Sequence, residues 1–411
     1  MREVGRYTVL GGPEAEARVA AAVEAIRTTA RSVLDPRAFR ALVLIGGYGR
    51  GEGGVEVRDG VEGPHNNLDV LLITRQVRRS GTEALRRRLS EALQDASRRH
   101  AIGIDVGAVS EWVLRTDVCR VMWYEMRFGH RTLLGDDTFV PGLTRFTVDR
   151  LHPPDLRDLM VNRGTLLVIN DAMMDLQEFP EESRRTFRRH LVKGVIGIGD
   201  GLLWALGAYH WSYQEKRRRV RTLPGVPEPL RDLYDRAMAY RFRADPALFP
   251  SEDLAQVQRE VREVLAESHR LFESRRIGDP LAGFGNYLAR ALPREVDPAF
   301  VHPREAARRG LALARTLGGR GELHPIPDGL RPGDRLRWAL CPPRERLALL
   351  FPAVAWEVRE EPYASQVRQV LQASGEVDLR RAYLRSFGRL GDPNFFPVAR
   401  RLGIPLEEDP A

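Results

Sequence analysis

Six of the nine residues from Gly46 to Gly54, in GGYGRGEGG, are glycine, with Arg50 and Glu52 set among them. Further along, NNLDVLLIT places Asn67 and Asp69 two residues apart at the start of an apolar run, and AIGIDVGAVS places Asp105 in a comparable position. Side chains alternate faces along a strand, so Asn67 and Asp69 point the same way. With the third run beside the second, Asp69 and Asp105 converge. Glycines let backbone N–H groups approach an anion closely, and a helix starting at Gly46-Gly47 would aim its positive end there. Arg50 adds a planar guanidinium fork suited to phosphate. Glu52 either joins this set or pairs with Arg50. The chemistry that needs all of these is the binding of a polyphosphate carrying Mg²⁺, which takes oxygen ligands from one or two carboxylates and from the phosphates.

The order of these residues resembles the DNA polymerase β-like nucleotidyltransferase superfamily. Its signature is a strand, then Gly-Gly or Gly-Ser, then an Asp-x-Asp pair on the next strand, then a third acidic residue on a later one. Gly46 and Gly47 match the first element, Asp69 the second Asp of the pair and Asp105 the third carboxylate. The resemblance implies a small mixed sheet with helices on one side and Mg²⁺ held by Asp69 and Asp105. It implies transfer of a nucleoside monophosphate from Mg-NTP to a hydroxyl or similar acceptor, with Asp105 or another carboxylate as general base. It covers roughly residues 15–140 and extends to bacterial proteins that join such a domain to a long helical region. Two departures stand out. The 19 residues from Tyr48 to Asn66 exceed the family's usual spacing, and VEVRDGVEGPHN within them suits a hairpin turning at Asp59-Gly60. The first acidic residue of the pair is Asn67, a neutral and weaker ligand in the catalytic set. A weakened nucleotidyltransferase and a catalytically silent nucleotide sensor both remain open.

The elements that must carry these residues are legible from periodicity. Ala15–Leu34 is spaced as a helix, Phe39–Ile45 and Leu68–Ile73 read as buried strands, and Gly81–Arg99 as an amphipathic helix with Leu85, Leu89 and Leu93 on one face. Ala101–Ser110 alternates Ile102, Ile104, Val106 and Ala108 against Gly103, Asp105 and Gly107. Tyr124–Asp137 reads as a helix, turn and strand, where His130 and Arg131 form a structural turn or touch phosphate. After Pro141 nearly every periodic segment is helical. The expected fold is α+β: a nucleotidyltransferase-type domain over 1–145, then an all-α domain over 146–411 with a sub-boundary near 320–335.

Composition narrows the class. A chain of 411 residues with 43% hydrophobic and 29% charged content is a globular protein long enough for two or three domains. The net charge of +8 favours an anionic partner, a nucleoside triphosphate above all. Only Lys193 and Lys216 among the 64 basic residues are lysine, so arginine richness reflects coding bias as much as a surface for RNA. The acceptor is therefore expected to be a small molecule or a protein rather than RNA. Two distant cysteines, Cys119 and Cys341, argue against a disulfide framework or zinc site and fit a reducing, cytoplasmic setting. The N-terminal stretch lacks a signal-peptide core. The most apolar window, Gly194–Trp211, carries Asp200 in its middle and reads as a buried helix, so no membrane partner is expected.

Within the helical region, Lys193 and Asp200 are seven residues apart and share a helix face. They read as a structural pair or, with Lys193 joining the binding set, as the wall of an acceptor pocket. EKRRRVR, Glu215–Arg221, reads as a solvated helix end. RRTFRRH and REVLAESH both fit the Arg-x4-6-His pattern of RNA-cleaving helical domains that accompany small nucleotidyltransferases, a pattern that arises by chance in so arginine-rich a chain.

Overall fold

The computed structural model describes residues 5–176, 180–250, 254–297, 306–391 and 395–406. It is a mixed α+β structure, a small mixed sheet with a helical remainder. The chain divides into two compact units. The first comprises 1–152, 209–222 and 235–248; the second comprises 153–208, 223–234 and 249–411.

In the first unit, α1 (Pro13–Val33) leads into β1 (Phe39–Ile45) and the one-turn helix α2 (Gly46–Arg50). The hairpin β2 (Val55–Arg58) and β3 (Val61–Pro64) follows, then β4 (Leu68–Thr74), α3 (Arg79–Ala92), α4 (Gln94–His100) and β5 (Ile104–Ser110). The hairpin turns at Asp59 and Gly60, as its sequence suggests, both with positive φ, the conformation a two-residue primed turn requires. The helices α5 (Glu111–Thr116) and α6 (Val121–Phe128) and strand β6 (Arg131–Gly135) close the segment, so 124–137 forms the expected helix, turn and strand.

The main sheet runs β5-β4-β1-β6, with β4 and β5 parallel and β1 antiparallel to both of its neighbours. One face is covered by helices. Leu42 and Leu44 of β1 and Leu68, Val70 and Leu72 of β4 form a core with Val19, Val23 and Ile26 of α1 and Leu89 of α3. Ile104, Val106 and Ala108 of β5 pack against the same core, which fixes the intervening Asp105 on the opposite face. The single helix expected over Gly81–Arg99 is two, joined at Leu93, where ψ opens to −5°. The third strand starts at Ile104 rather than Ala101, because Ala101 takes a left-handed φ of 50° to end α4.

Helices α7 (Pro153–Met174) and α8 (Glu181–Ala205) open the second unit; α9 (Tyr213–Thr222) belongs to the first. α10 (Glu228–Phe242) contributes its residues from Asp235 onward to the first unit. The second unit continues with α11 (Leu254–Ile277), α12 (Tyr287–Glu295), α13 (Ala306–Leu317), α14 (Pro332–Leu340), α15 (Pro343–Ala355), α16 (Tyr363–Leu371), α17 (Glu376–Leu390) and α18 (Phe395–Arg401). The apolar GVIGIGDG run lies in α8. A Cβ at Gly194, Gly197 or Gly201 would press within 3.1 Å of Leu167, Arg163 or Met160 of α7, so the glycines allow close helix packing. Among the described residues no helix is long and apolar enough to cross a membrane.

Candidate functional site

The parallel pairing of β4 with β5 sets Asp69 directly opposite Asp105. Both project from the face away from α1 and α3, and Ile45, the last residue of β1, pairs with Asp69 on its other side. The chain then turns through Gly46, whose φ of +67° lies in the left-handed region. A Cβ there would sit 2.5 Å from Asp69 Oδ2. Asn67 completes the group: its Nδ2 donates to Asp105 Oδ2 at 3.0 Å. Asn67 and Asp105 are exposed and Asp69 is half-buried. The four sequence-expected residues Gly46, Asn67, Asp69 and Asp105 are therefore brought together at one edge of the sheet, with Gly47 next in the chain.

Not every glycine of the run serves an open site. A Cβ at Gly49 would meet the Leu44 carbonyl at 2.4 Å, and one at Gly53 the Tyr48 ring at 2.2 Å. These two glycines are required by packing alone. Tyr48 is buried, donates to the Gly54 carbonyl at 2.7 Å and accepts from the Asn66 N–H at 3.3 Å. Burial pushes its phenol up to about 12, so it stays neutral and pins the glycine loop to the start of β4.

Arg50 and Glu52, expected beside the phosphate, are held by protein partners. Arg50 has a side chain only 4% exposed and ion-pairs with Glu125 at 2.7 Å. Its guanidinium also lies over the Tyr213 ring, 4.3 Å from the centroid. Glu52 does not pair with Arg50 in a hydrogen-bonded contact; it caps α9. Its carboxylate accepts from Ser212 Oγ at 2.5 Å, Tyr213 N at 2.7 Å and Gln214 N at 3.3 Å. The free N–H groups of a helix start attract an acidic side chain, and Glu52 supplies it across 160 residues of sequence. Lys193 is exposed on α8 in the second unit, whereas Asp200 is buried and accepts from Tyr234 Oη at 2.8 Å.

Other readings of the sequence change in the same way. The EKRRRVR helix end is not fully solvated: Lys216 is buried and ion-pairs with Glu125 at 2.8 Å, close to Tyr209 Oη at 3.1 Å. Burial works against the charge on Glu125, yet Lys216 and Arg50 outweigh it and hold its carboxyl down at about 2. His130 bonds the Met126 carbonyl and Arg131 stacks on Tyr7, both structural roles. The two histidines of the Arg-x4-6-His matches are buried, His190 on Asn170 and His269 accepting from Trp356 Nε1.

The residue that sequence reading missed is Arg241, near the end of α10 and within the first unit. A Cβ at Gly47 would lie 3.0 Å from its Nη2, and its guanidinium sits 4.5 Å from the Tyr213 centroid. Its backbone is locked in place, because Gly54 lies so close to the Arg241 carbonyl that a Cβ there would overlap it. Ala244 N donates to the Val55 carbonyl at 2.9 Å and Arg243 pairs with Glu62 at 2.9 Å, which ties the rest of the segment to the hairpin. Nothing local in AMAYRFRAD distinguishes Arg241 from the other arginines. Gly46 and Gly47 thus stand between a carboxylate and a guanidinium.

Among the described residues no group of three or more His, Cys, Asp or Glu side chains could hold a metal ion. Two carboxylates and an amide fit an ion that brings further oxygen ligands with its substrate, not a resident metal in a protein cage. A cavity of about 340 Å³ opens elsewhere, in the second unit, lined by Glu322, His324, Arg385 and Arg389, and contains none of this glycine and carboxylate chemistry. Comparisons with models of protein families, with curated proteins and with solved structures find no match to the chain.

Proposed function

We propose that the first unit binds Mg-NTP at Gly46, Gly47, Asp69 and Asp105 and transfers a nucleoside monophosphate to an acceptor hydroxyl, as nucleotidyltransferases do. The observation that carries this reading is the register: Asp69 stands opposite Asp105 on parallel strands, with a left-handed glycine against Asp69 Oδ2. Asp69 and Asp105 would hold Mg²⁺ together with phosphate oxygens, and the ion would offset charge on the triphosphate. Asp105 would accept the acceptor's proton as its oxygen attacks the α-phosphorus. The new P–O bond forms as the bond to the β-phosphate oxygen breaks, and pyrophosphate leaves.

One observation favours the second reading, a catalytically silent nucleotide binder. The Asn67 amide donates to Asp105 where the family places a carboxylate, so an N–H occupies one oxygen of the proposed base and ligand. Purified protein incubated with each labelled NTP and Mg²⁺ separates the two. Pyrophosphate release with labelled acceptor identifies the transferase; stoichiometric Mg-dependent binding without release identifies the silent binder. Absence of both overturns the nucleotide site.

A further inference from the structure

Three cations crowd the Tyr213 ring, and two of them have a carboxylate. Arg50 and Lys216 share Glu125, at 2.7 and 2.8 Å. Of the other buried acids in this region, Glu52 is taken up by Ser212 and the start of α9, and Glu56 by Arg58 and His65. Arg241 is left with the ring face, 4.5 Å from its centroid. Among the described residues it meets no carboxylate and no hydrogen-bond acceptor; its Nε, like that of Arg50, is buried without a partner, but Arg50 has Glu125 for the rest of its fork. A buried guanidinium N–H without an acceptor is costly. The fork is stacked, fixed at its backbone by Gly54, and turned so that Nη2 lies over bare Gly47. A bidentate oxyanion suits that fork best, and the lack of a side chain at Gly47 lets the fork lie against the turn, where a Cβ would come within 3.0 Å of Nη2.

We propose that Arg241 is the anion-binding residue of this site and that its ligand is the polyphosphate chain of the nucleotide. This rests on the proposed nucleotide reading for the identity of the anion. The guanidinium takes phosphate oxygens beside Gly47 while Asp69 and Asp105 serve the metal-bearing side. Arg50, the arginine inside the glycine run, serves Glu125 and the fold.

The test measures binding of ATP, AMP and inorganic tripolyphosphate, each with and without Mg²⁺, directly by titration calorimetry, to the full chain and to Arg241→Gln, Arg241→Lys and Asp69→Asn. Thermal unfolding checks that each variant is folded, and Arg241→Lys keeps the charge where Arg241→Gln alters the packing on Tyr213. Arg241→Gln is expected to weaken ATP and tripolyphosphate on the order of ten- to a hundredfold, the loss of a charge-assisted pair. It should leave AMP nearly unchanged, and Arg241→Lys should recover part of the loss. Asp69→Asn should lose the Mg²⁺ dependence and keep the preference for tripolyphosphate over AMP. Equal ATP and tripolyphosphate affinity in the parent and both Arg241 variants overturns the role of Arg241 and leaves the nucleotide site standing. Arg241-dependent binding of tripolyphosphate without any binding of ATP supports the anion site and overturns the nucleotide reading. A parent chain that binds neither overturns both.

Discussion

Asn67→Asp puts the proposed metal edge to its sharpest test. The two side chains have nearly the same shape, so the substitution fits without repacking. It removes the donor that bonds Asp105 Oδ2 at 3.0 Å and replaces it with a second carboxylate at that spacing. Two unit charges 3 Å apart repel by about 1.4 kcal/mol at the dielectric of water, the relevant limit for exposed groups. The lost hydrogen bond adds about 1 kcal/mol, and rotation of the two side chains apart takes some of the total back. The metal-free variant should therefore be about 1–2 kcal/mol less stable than the parent at neutral pH. The repulsion raises the folded-state pKa of the pair above that of an unfolded Asp, about 3.9. The folded variant then binds more protons than the unfolded chain in that window, so its stability falls as pH rises through it. The deficit should shrink as pH is lowered toward 4 and be full at pH 7. With NTP present, Mg²⁺ should close the deficit and bind the variant more tightly than the parent. In a weakened transferase, turnover should rise about tenfold for each 1.36 kcal/mol removed from the barrier. In a silent binder only Mg²⁺ affinity should rise. Thermal unfolding at pH 4 and pH 7 with a Mg²⁺ titration reads all of this. A variant with the parent's pH profile and Mg²⁺ affinity would show that residue 67 does not face the ion.

The remaining expectations concern the scaffold of the site. Glu125→Gln strands Arg50 and Lys216 and should cost about 3–5 kcal/mol, measured by denaturant unfolding; an unchanged midpoint would remove the buried triad from any structural role. Because the Glu125 carboxyl is held at about 2, its contribution is present above the unfolded value of 4.5 and is lost as pH falls toward 2. The parent should therefore unfold in acid through that window and Glu125→Gln should not show this component. Glu52→Ala frees the Tyr213 and Gln214 N–H groups and should cost about 2 kcal/mol, with faster hydrogen exchange at the start of α9; unaltered exchange there would refute the cap. Gly46→Ala forces a Cβ to 2.5 Å from Asp69 Oδ2 in a left-handed backbone, so it should weaken Mg-NTP binding at least tenfold, and parental affinity in a folded variant would count against the glycine turn. Lys193→Ala, at an exposed position on α8, should change stability by less than about 0.5 kcal/mol and leave NTP affinity intact; a tenfold loss of affinity would put Lys193 in the binding set.

Local pattern determined the strands and the carboxylate edge. Continuous apolar runs mark Phe39–Ile45 and Leu68–Ile73 as buried strands, and alternation in Ile104–Ala108 sets which of its side chains face the helices; the period of two then puts Asp69, between Leu68 and Val70, and Asp105, between Ile104 and Val106, on the other face. Asp59-Gly60 specified its turn by the same kind of short-range chemistry. Which cation stands at the glycines was not legible that way. Arg50 lies inside the glycine run and is drawn into the buried pair with Glu125, 75 residues on. Glu52 is drawn to the amides of a helix that begins at Tyr213. Arg241 reaches Gly47 because α10 brings its last turns into the first unit. Burial decides these assignments: a charge removed from water must find its partner wherever the fold provides one, and sequence separation carries no information about that choice. With 62 arginines of near-identical local context, only the tertiary packing distinguishes the one left facing the turn.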